Sequence, residues 1–213
     1  MGKLGSVKLP AVLLGLFVVL FVVLGIAPSD RLTWALENGL ALAGVAFLML
    51  TRKRWPLSNA AYVSLFVFTA LHEIGAYYTY TQVPYDRWSE AAFGSALGET
   101  FGWKRNHYDR LVHFAFGLLV APAVRELVVG IARVTPRVSL WLALQTVISW
   151  SALYELVEWG AAVVFGGATA EAYVGMQGDV WDAQKDMALA ASGALLALAT
   201  VAFTTLRSAS SSR

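Results

Sequence analysis

Cysteine is absent from this 213-residue chain, which excludes disulfides and thiolate metal sites and leaves His, Asp and Glu as the only strong metal ligands. Charge is scarce as well. Asp, Glu, Lys and Arg make up 14% of the residues, against about 25% in an ordinary soluble domain. The 16 basic and 14 acidic residues leave a net charge of +2, and the basic residues come in short clusters rather than one stripe, which excludes a nucleic-acid-binding surface. Histidine occurs only three times, as His72, His107 and His113.

What is present is apolar. With 58% hydrophobic residues and a mean hydropathy of +0.60, the chain reads as an all-α polytopic membrane protein, one integral membrane domain over residues 1–213. Six apolar runs, at about 9–27, 32–50, 57–80, 108–129, 138–165 and 179–206, are each long enough at about 1.5 Å per residue to cross a hydrocarbon core of about 30 Å. The first exceeds the apolar region of about 7–15 residues of a cleaved signal peptide and is read as an uncleaved anchor. Residues 81–105, interrupted by Pro84 and several glycines and carrying Trp88 and Trp103, form an extracytoplasmic or interfacial loop that lies on the membrane as a lid. Gly166–Gly178 is a short loop, and Ser208–Arg213 a disordered polar tail.

The basic residues set the orientation. With both termini cytoplasmic, ten of them (Lys3, Lys8, Arg52, Lys53, Arg54, Arg125, Arg133, Arg137, Arg207 and Arg213) fall inside. Six (Arg31, Arg87, Lys104, Arg105, Arg110 and Lys185) fall outside.

Alternation of six spans then sends the intramembrane polar residues to one leaflet. His72 and Glu73 come late in the third span and Tyr154, Glu155 and Glu158 late in the fifth. His107, Tyr108, Asp109, Arg110 and His113 open the fourth, and Asp179, Asp182, Lys185 and Asp186 open the sixth, with Gln177 just before it. Spacings of three and four place Asp109 with His113, Glu155 with Glu158, and Asp179 with Asp182 and Asp186 on single helix faces. Such faces are expensive against lipid, so each turns into the bundle.

Simpler readings apply to single residues. Asp109 with Arg110, or Asp182 with Lys185, can be ion pairs at a helix start, Asp179 can be an N-cap, and His113 a hydrogen-bonded core histidine. Trp88, Trp103, Trp159 and Trp181 read as interfacial anchors, and the Ser192-Gly193-Ala194 stretch as a close-packing surface. All three histidines nevertheless belong to the convergent set, which single-residue readings do not explain.

The motifs Asn106-His107-Tyr108-Asp109-Arg110-Leu111-Val112-His113-Phe114, Tyr154-Glu155-Leu156-Val157-Glu158-Trp159 and Gln177-Gly178-Asp179-Val180-Trp181-Asp182-Ala183-Gln184-Lys185-Asp186-Met187 together resemble the YjdF family of bacterial inner-membrane proteins. The resemblance runs from about His72 onward and implies a multi-pass fold in the inner membrane, with no biochemistry attached. Asp109, Arg110, His113, Glu155, Asp179, Asp182, Asp186, Gly193 and Ala194 are also similar in layout to VanZ-like membrane proteins. That similarity implies an envelope lipid or precursor as ligand, and it departs at Arg110, at the second acid Glu158 and throughout the first three spans.

Three readings of function follow. In the leading one, His72, His107 and His113 with Asp109, Asp182 and Asp186 hold a divalent metal, zinc or similar, and Glu155 or Glu158 acts as general base in hydrolysis of a lipid headgroup or envelope precursor. Glu73, Arg110, Tyr108, Tyr154, Gln177, Asp179 and Lys185 then hold substrate or complete the network. In the second the cluster is a structural charge network locking four helices together. In the third it binds a cation or cationic headgroup without transport, since no polar path crosses the inner halves of the spans.

Overall fold

The computed structural model describes residues 8–167 and 176–211, and the only regular structure among them is helical. Five helices are long and apolar enough to cross a membrane: α2 (Arg31–Thr51), α3 (Asn59–Tyr77), α6 (Tyr108–Ala132), α7 (Pro136–Phe165) and α8 (Asp182–Ser211, apolar over Asp182–Thr204). The shorter apolar helix α1 (Lys8–Gly25) precedes them. This is a multi-pass membrane architecture.

Local chemistry sets the boundaries. The carboxylate of Asp30 accepts from the Thr33 N–H at 2.7 Å and caps α2, and Ser58 Oγ accepts from the Ala61 N–H at 3.1 Å and caps α3. Thr135 begins α7 with Pro136 in its first turn, where a missing N–H costs nothing.

The third helix is shorter than the expected 57–80. It stops at Tyr77 because Thr79 and Tyr80 adopt left-handed φ values of 51° and 55°. The turn folds Tyr80 back on its own helix, its N–H donating to Gly75 O at 2.7 Å and its ring lying where a Cβ on Gly75 would come within 2.4 Å. Glycine at 75 therefore lets Tyr80 reach His72.

The 81–105 segment contains two short helices, α4 (Tyr85–Phe93) and α5 (Leu97–Phe101), so it is more ordered than a plain loop. Asp86 accepts from the Gly98 N–H at 2.8 Å and Ser89 Oγ from the Leu97 N–H at 3.1 Å, pinning the two helices together. At the far end of the chain α8 runs on to Ser211, into the stretch that the sequence reads as a disordered tail. Residues 212 and 213, and most of the Gly166–Gly178 loop (168–175), lie outside the described residues.

The contact that positions the site is between α6 and α8, which run parallel. A Cβ on Gly117 would fall 1.9 Å from Ala190 O, and one on Gly193 would fall 2.2 Å from Phe114 O. The two backbones touch through glycine, as small residues permit in membranes. Below them Ala121, Ala143, Val147, Ala194 and Leu198 form an apolar core with α7. His113 precedes Gly117 by one turn and Asp186 precedes Ala190 by one turn, so the close approach brings the polar first turns of both helices into register.

Candidate functional site

The polar residues collect at one end of the bundle, as alternation requires. Five helices contribute: α2 with Glu37, α3 with His72 and Glu73, α6 with Asp109 and His113, α7 with Tyr154, Glu155 and Glu158, and α8 with Asp182 and Asp186. Glu37, His72, Glu73, Asp109, His113, Asp182 and Asp186 are all buried.

At the centre, His113 Nε2 lies 3.5 Å from Asp109 Oδ1 and 3.7 Å from Glu155 Oε1. Asp109, His113 and Asp186 each offer a donor atom within 4.8 Å of the others, a compact set of the kind that holds a cation. Asp186 Oδ1 and Glu155 Oε1 are buried and accept no hydrogen bond. Asp109, Glu155, Glu158, Asp182 and Asp186 face a cavity of about 410 Å³, whose apolar walls include Leu156, Trp159 and Met187. Among the described residues no Lys, Arg or His lines it.

Basic side chains stand instead at the rim. Asp179 Oδ2 accepts from Arg105 at 3.2 Å, from Lys185 at 2.6 Å and from Arg110, and Asp182 Oδ1 pairs with Arg105 at 2.9 Å and Arg110 at 3.5 Å. This corrects the pairs read from sequence: Arg110 reaches Asp179 and Asp182 rather than Asp109, and Lys185 reaches Asp179 rather than Asp182. Nor is Asp179 the N-cap of α8, because it sits three residues before the helix and accepts from the Trp181 N–H at 3.1 Å. The hydrogen bond from Lys185, with those from the Trp181 amide and Arg110, holds the Asp179 carboxyl below the ordinary carboxylate range.

A second clamp joins the same two segments. Gln177 Oε1 accepts from the Asn106 N–H at 2.7 Å and its Nε2 donates to Asn106 O at 2.9 Å, while Asn106 Nδ2 donates to Val83 O at 2.8 Å. The 81–105 segment, the start of α6 and the approach to α8 are thus tied together next to the rim.

The three histidines do not share a ligand set. His72 is buried on α3, its Nδ1 2.6 Å from Tyr80 Oη. His107 lies at the entrance to α6 with its ring 4.6 Å from Trp103. Partial burial, then repulsion from Arg110 and Arg105, lowers its pKa. Only His113 enters the compact donor set. Tyr108 Oη donates to Leu71 O at 3.0 Å and so braces α6 on α3. Glu73 is wholly buried, with both oxygens unpartnered.

Sequence reasoning missed Glu37, Arg105 and Asn106 as parts of the network. Glu37 accepts a hydrogen bond from Tyr154 Oη, and the Tyr154 ring packs edge-on against His113 at 5.9 Å, linking α2 to the site. A lone acid two turns into the second apolar run was the available clue.

Comparison with known proteins agrees with this architecture. A profile described as predicted membrane protein (DUF2238) matches residues 9–207. Inner membrane protein YjdF of Escherichia coli (strain K12) is 37% identical over 172 residues, which cover 80% of this chain and 78% of that protein. No solved structure matches, and none of these matches shows the weaker similarity to VanZ-like proteins. The chain belongs to the DUF2238 family of predicted membrane proteins, with YjdF among its relatives.

Proposed function

We propose that this protein is a metal-dependent hydrolase of the inner membrane, acting on a lipid headgroup or lipid-linked envelope precursor from the extracytoplasmic leaflet. The observation that carries this reading is the buried Asp109–His113–Asp186 donor set, its donor atoms within 4.8 Å of one another, two of whose members, Asp109 and Asp186, line a cavity of about 410 Å³. The ligand set proposed is thus narrower than the six residues read from the sequence, leaving out His72, His107 and Asp182.

Buried carboxylates in this number need compensation. The nearby guanidinium groups are engaged by Asp179 and Asp182 at the rim, so a divalent ion is the compensation that the remaining acids favour. Such an ion lowers the pKa of a bound water toward neutrality. Glu155, whose Oε1 accepts no hydrogen bond and lies 3.7 Å from His113 Nε2, would take the proton of that water as its oxygen attacks an ester carbonyl or phosphoryl group. The ester bond breaks and the leaving oxygen receives a proton, for which Glu158 is a second carboxyl on the same wall. Leu156, Trp159 and Met187 offer apolar surface to the lipid part of a substrate.

A second reading rests on the lining itself, which is acidic and, among the described residues, lacks any basic side chain. It favours a cationic headgroup held by the carboxylates against Trp159, without hydrolysis. Incubating the purified protein with bacterial lipid extract, with and without a chelator, tests the two. The hydrolase reading predicts release of a water-soluble headgroup that stops on chelation and in Glu155→Gln. Retention of an intact amine-bearing lipid, indifferent to chelator, would replace it with the binding reading.

A further inference from the structure

A second site lies at the opposite end of the bundle and does not depend on the function proposed above. Helices α1 and α2 meet near the end that holds the carboxylates. There the rings of Phe21 and Trp34 are 5.1 Å apart, and a Cβ on Gly25 would lie 3.0 Å from the Trp34 ring. Going the other way the two helices part, leaving a cleft of about 90 Å³. Leu14 and Phe17 of α1 form one wall, Val45 of α2 the other, and Leu65 and Phe66 of α3 the floor.

Apart from Tyr62 and Thr69, whose hydroxyl is spent on Leu65 O and Phe66 O, the cleft is lined by apolar side chains and ends in one charge. Arg52, which follows the last turn of α2, lines it, and Lys53 and Arg54 come directly after. Among the described residues Arg52 makes no ion pair, and Glu126, an acid at the same end, is engaged by the Ser58 N–H and hydroxyl, each at 2.7 Å. A hydrocarbon slot of this kind inside a bilayer is filled by hydrocarbon, and an unpaired guanidinium at headgroup depth recruits a phosphate, to which it donates in bidentate fashion. Met49 lines the slot as well, and exposed Val12 and Leu16 of α1 continue the apolar surface beside it.

We propose that this cleft seats a segment of one acyl chain of an anionic phospholipid, the rest of the chain running over the exposed apolar surface of α1, with its phosphate held by Arg52. The bias of basic residues assigns it to the cytoplasmic leaflet. A lipid seated there fills the gap between α1 and α2 beyond the Phe21–Trp34 contact.

Native mass spectrometry of the full chain, released from mild detergent with equal phosphatidylglycerol and phosphatidylcholine of identical chains, tests this. The expected wild-type spectrum has one retained lipid, predominantly phosphatidylglycerol. Arg52→Gln brings the two lipids to parity while a lipid is still retained, and Val45→Trp, which fills the slot, removes the retained lipid. Parity in the wild type, or an undiminished preference in Arg52→Gln, overturns the proposal. So does a lipid-free dimer as the main wild-type species, which would mean that a second copy closes the cleft. Should Val45→Trp fail to fold, the Arg52 comparison decides alone.

Discussion

His113 Nε2 stands between two carboxylates from different helices, 3.5 Å from Asp109 Oδ1 on α6 and 3.7 Å from Glu155 Oε1 on α7. That placement depends on the backbone contact one turn further along, where α6 meets α8 at Gly117. Site geometry and helix packing are therefore one problem in this protein.

Gly117→Ala should separate α6 from α8, because its Cβ would sit 1.9 Å from the Ala190 carbonyl and neither backbone can yield as a side chain can. Overpacking of this kind costs about 1–3 kcal/mol or more. Gly44→Ala, where a Cβ meets nothing within 4 Å, should be neutral or slightly stabilising. Thermal unfolding in detergent checks the pair, and equal melting temperatures would contradict the packing argument.

Asp179→Asn should weaken the tie that Asp179 makes to Arg105, Arg110 and Lys185 in a pH-dependent way. The folded carboxyl is held below its ordinary value of 3.8, so its contribution is complete above that value and is lost as pH falls through the folded one. Wild type should thus be the more stable protein at pH 7, and the two melting curves should converge as the solution is acidified below about 4. A constant gap across that range would show that Asp179 acts by shape alone.

The hydrogen bond from Tyr154 to Glu37 crosses from α7 to α2 in a buried place. Interhelical hydrogen bonds in membrane proteins average about 0.6 kcal/mol, and one to a buried carboxylate should exceed that. A double-mutant cycle of Glu37→Gln and Tyr154→Phe is expected to give a coupling of about 1 kcal/mol or more. Additive effects would remove Glu37 from the network.

Tyr80→Phe leaves His72 Nδ1 without its 2.6 Å partner and should cost about 1–3 kcal/mol. Gly75→Ala should cost more, since it also drives the Tyr80 ring away. Denaturation of both variants measures the order, and a milder effect of Gly75→Ala would contradict the folded-back turn.

Much of this arrangement was legible in the chain. Alternation of spans placed His72, Asp109, His113, Glu155 and Asp186 at one end, and spacing of three and four put Asp109 with His113 and Asp182 with Asp186 on common faces, because both follow from helix geometry alone. Partner choice was not legible. Arg110 and Lys185 lie one and three residues from the acids paired with them on paper, yet both turn to Asp179, whose position is fixed by the Gln177–Asn106 clamp between distant segments. The three histidines looked like one ligand set for the same reason: sequence gives depth along a helix, whereas the left-handed turn at Tyr80 assigns His72 to a tyrosine instead.

Elemental analysis of the purified protein in mild detergent, beside a His113→Ala variant of equal monodispersity, tests the central claim most directly. The account predicts near-stoichiometric zinc, manganese or iron in the wild type and its loss in the variant. Metal absent from both, even after reconstitution with excess ions, or retained undiminished without His113, would contradict it.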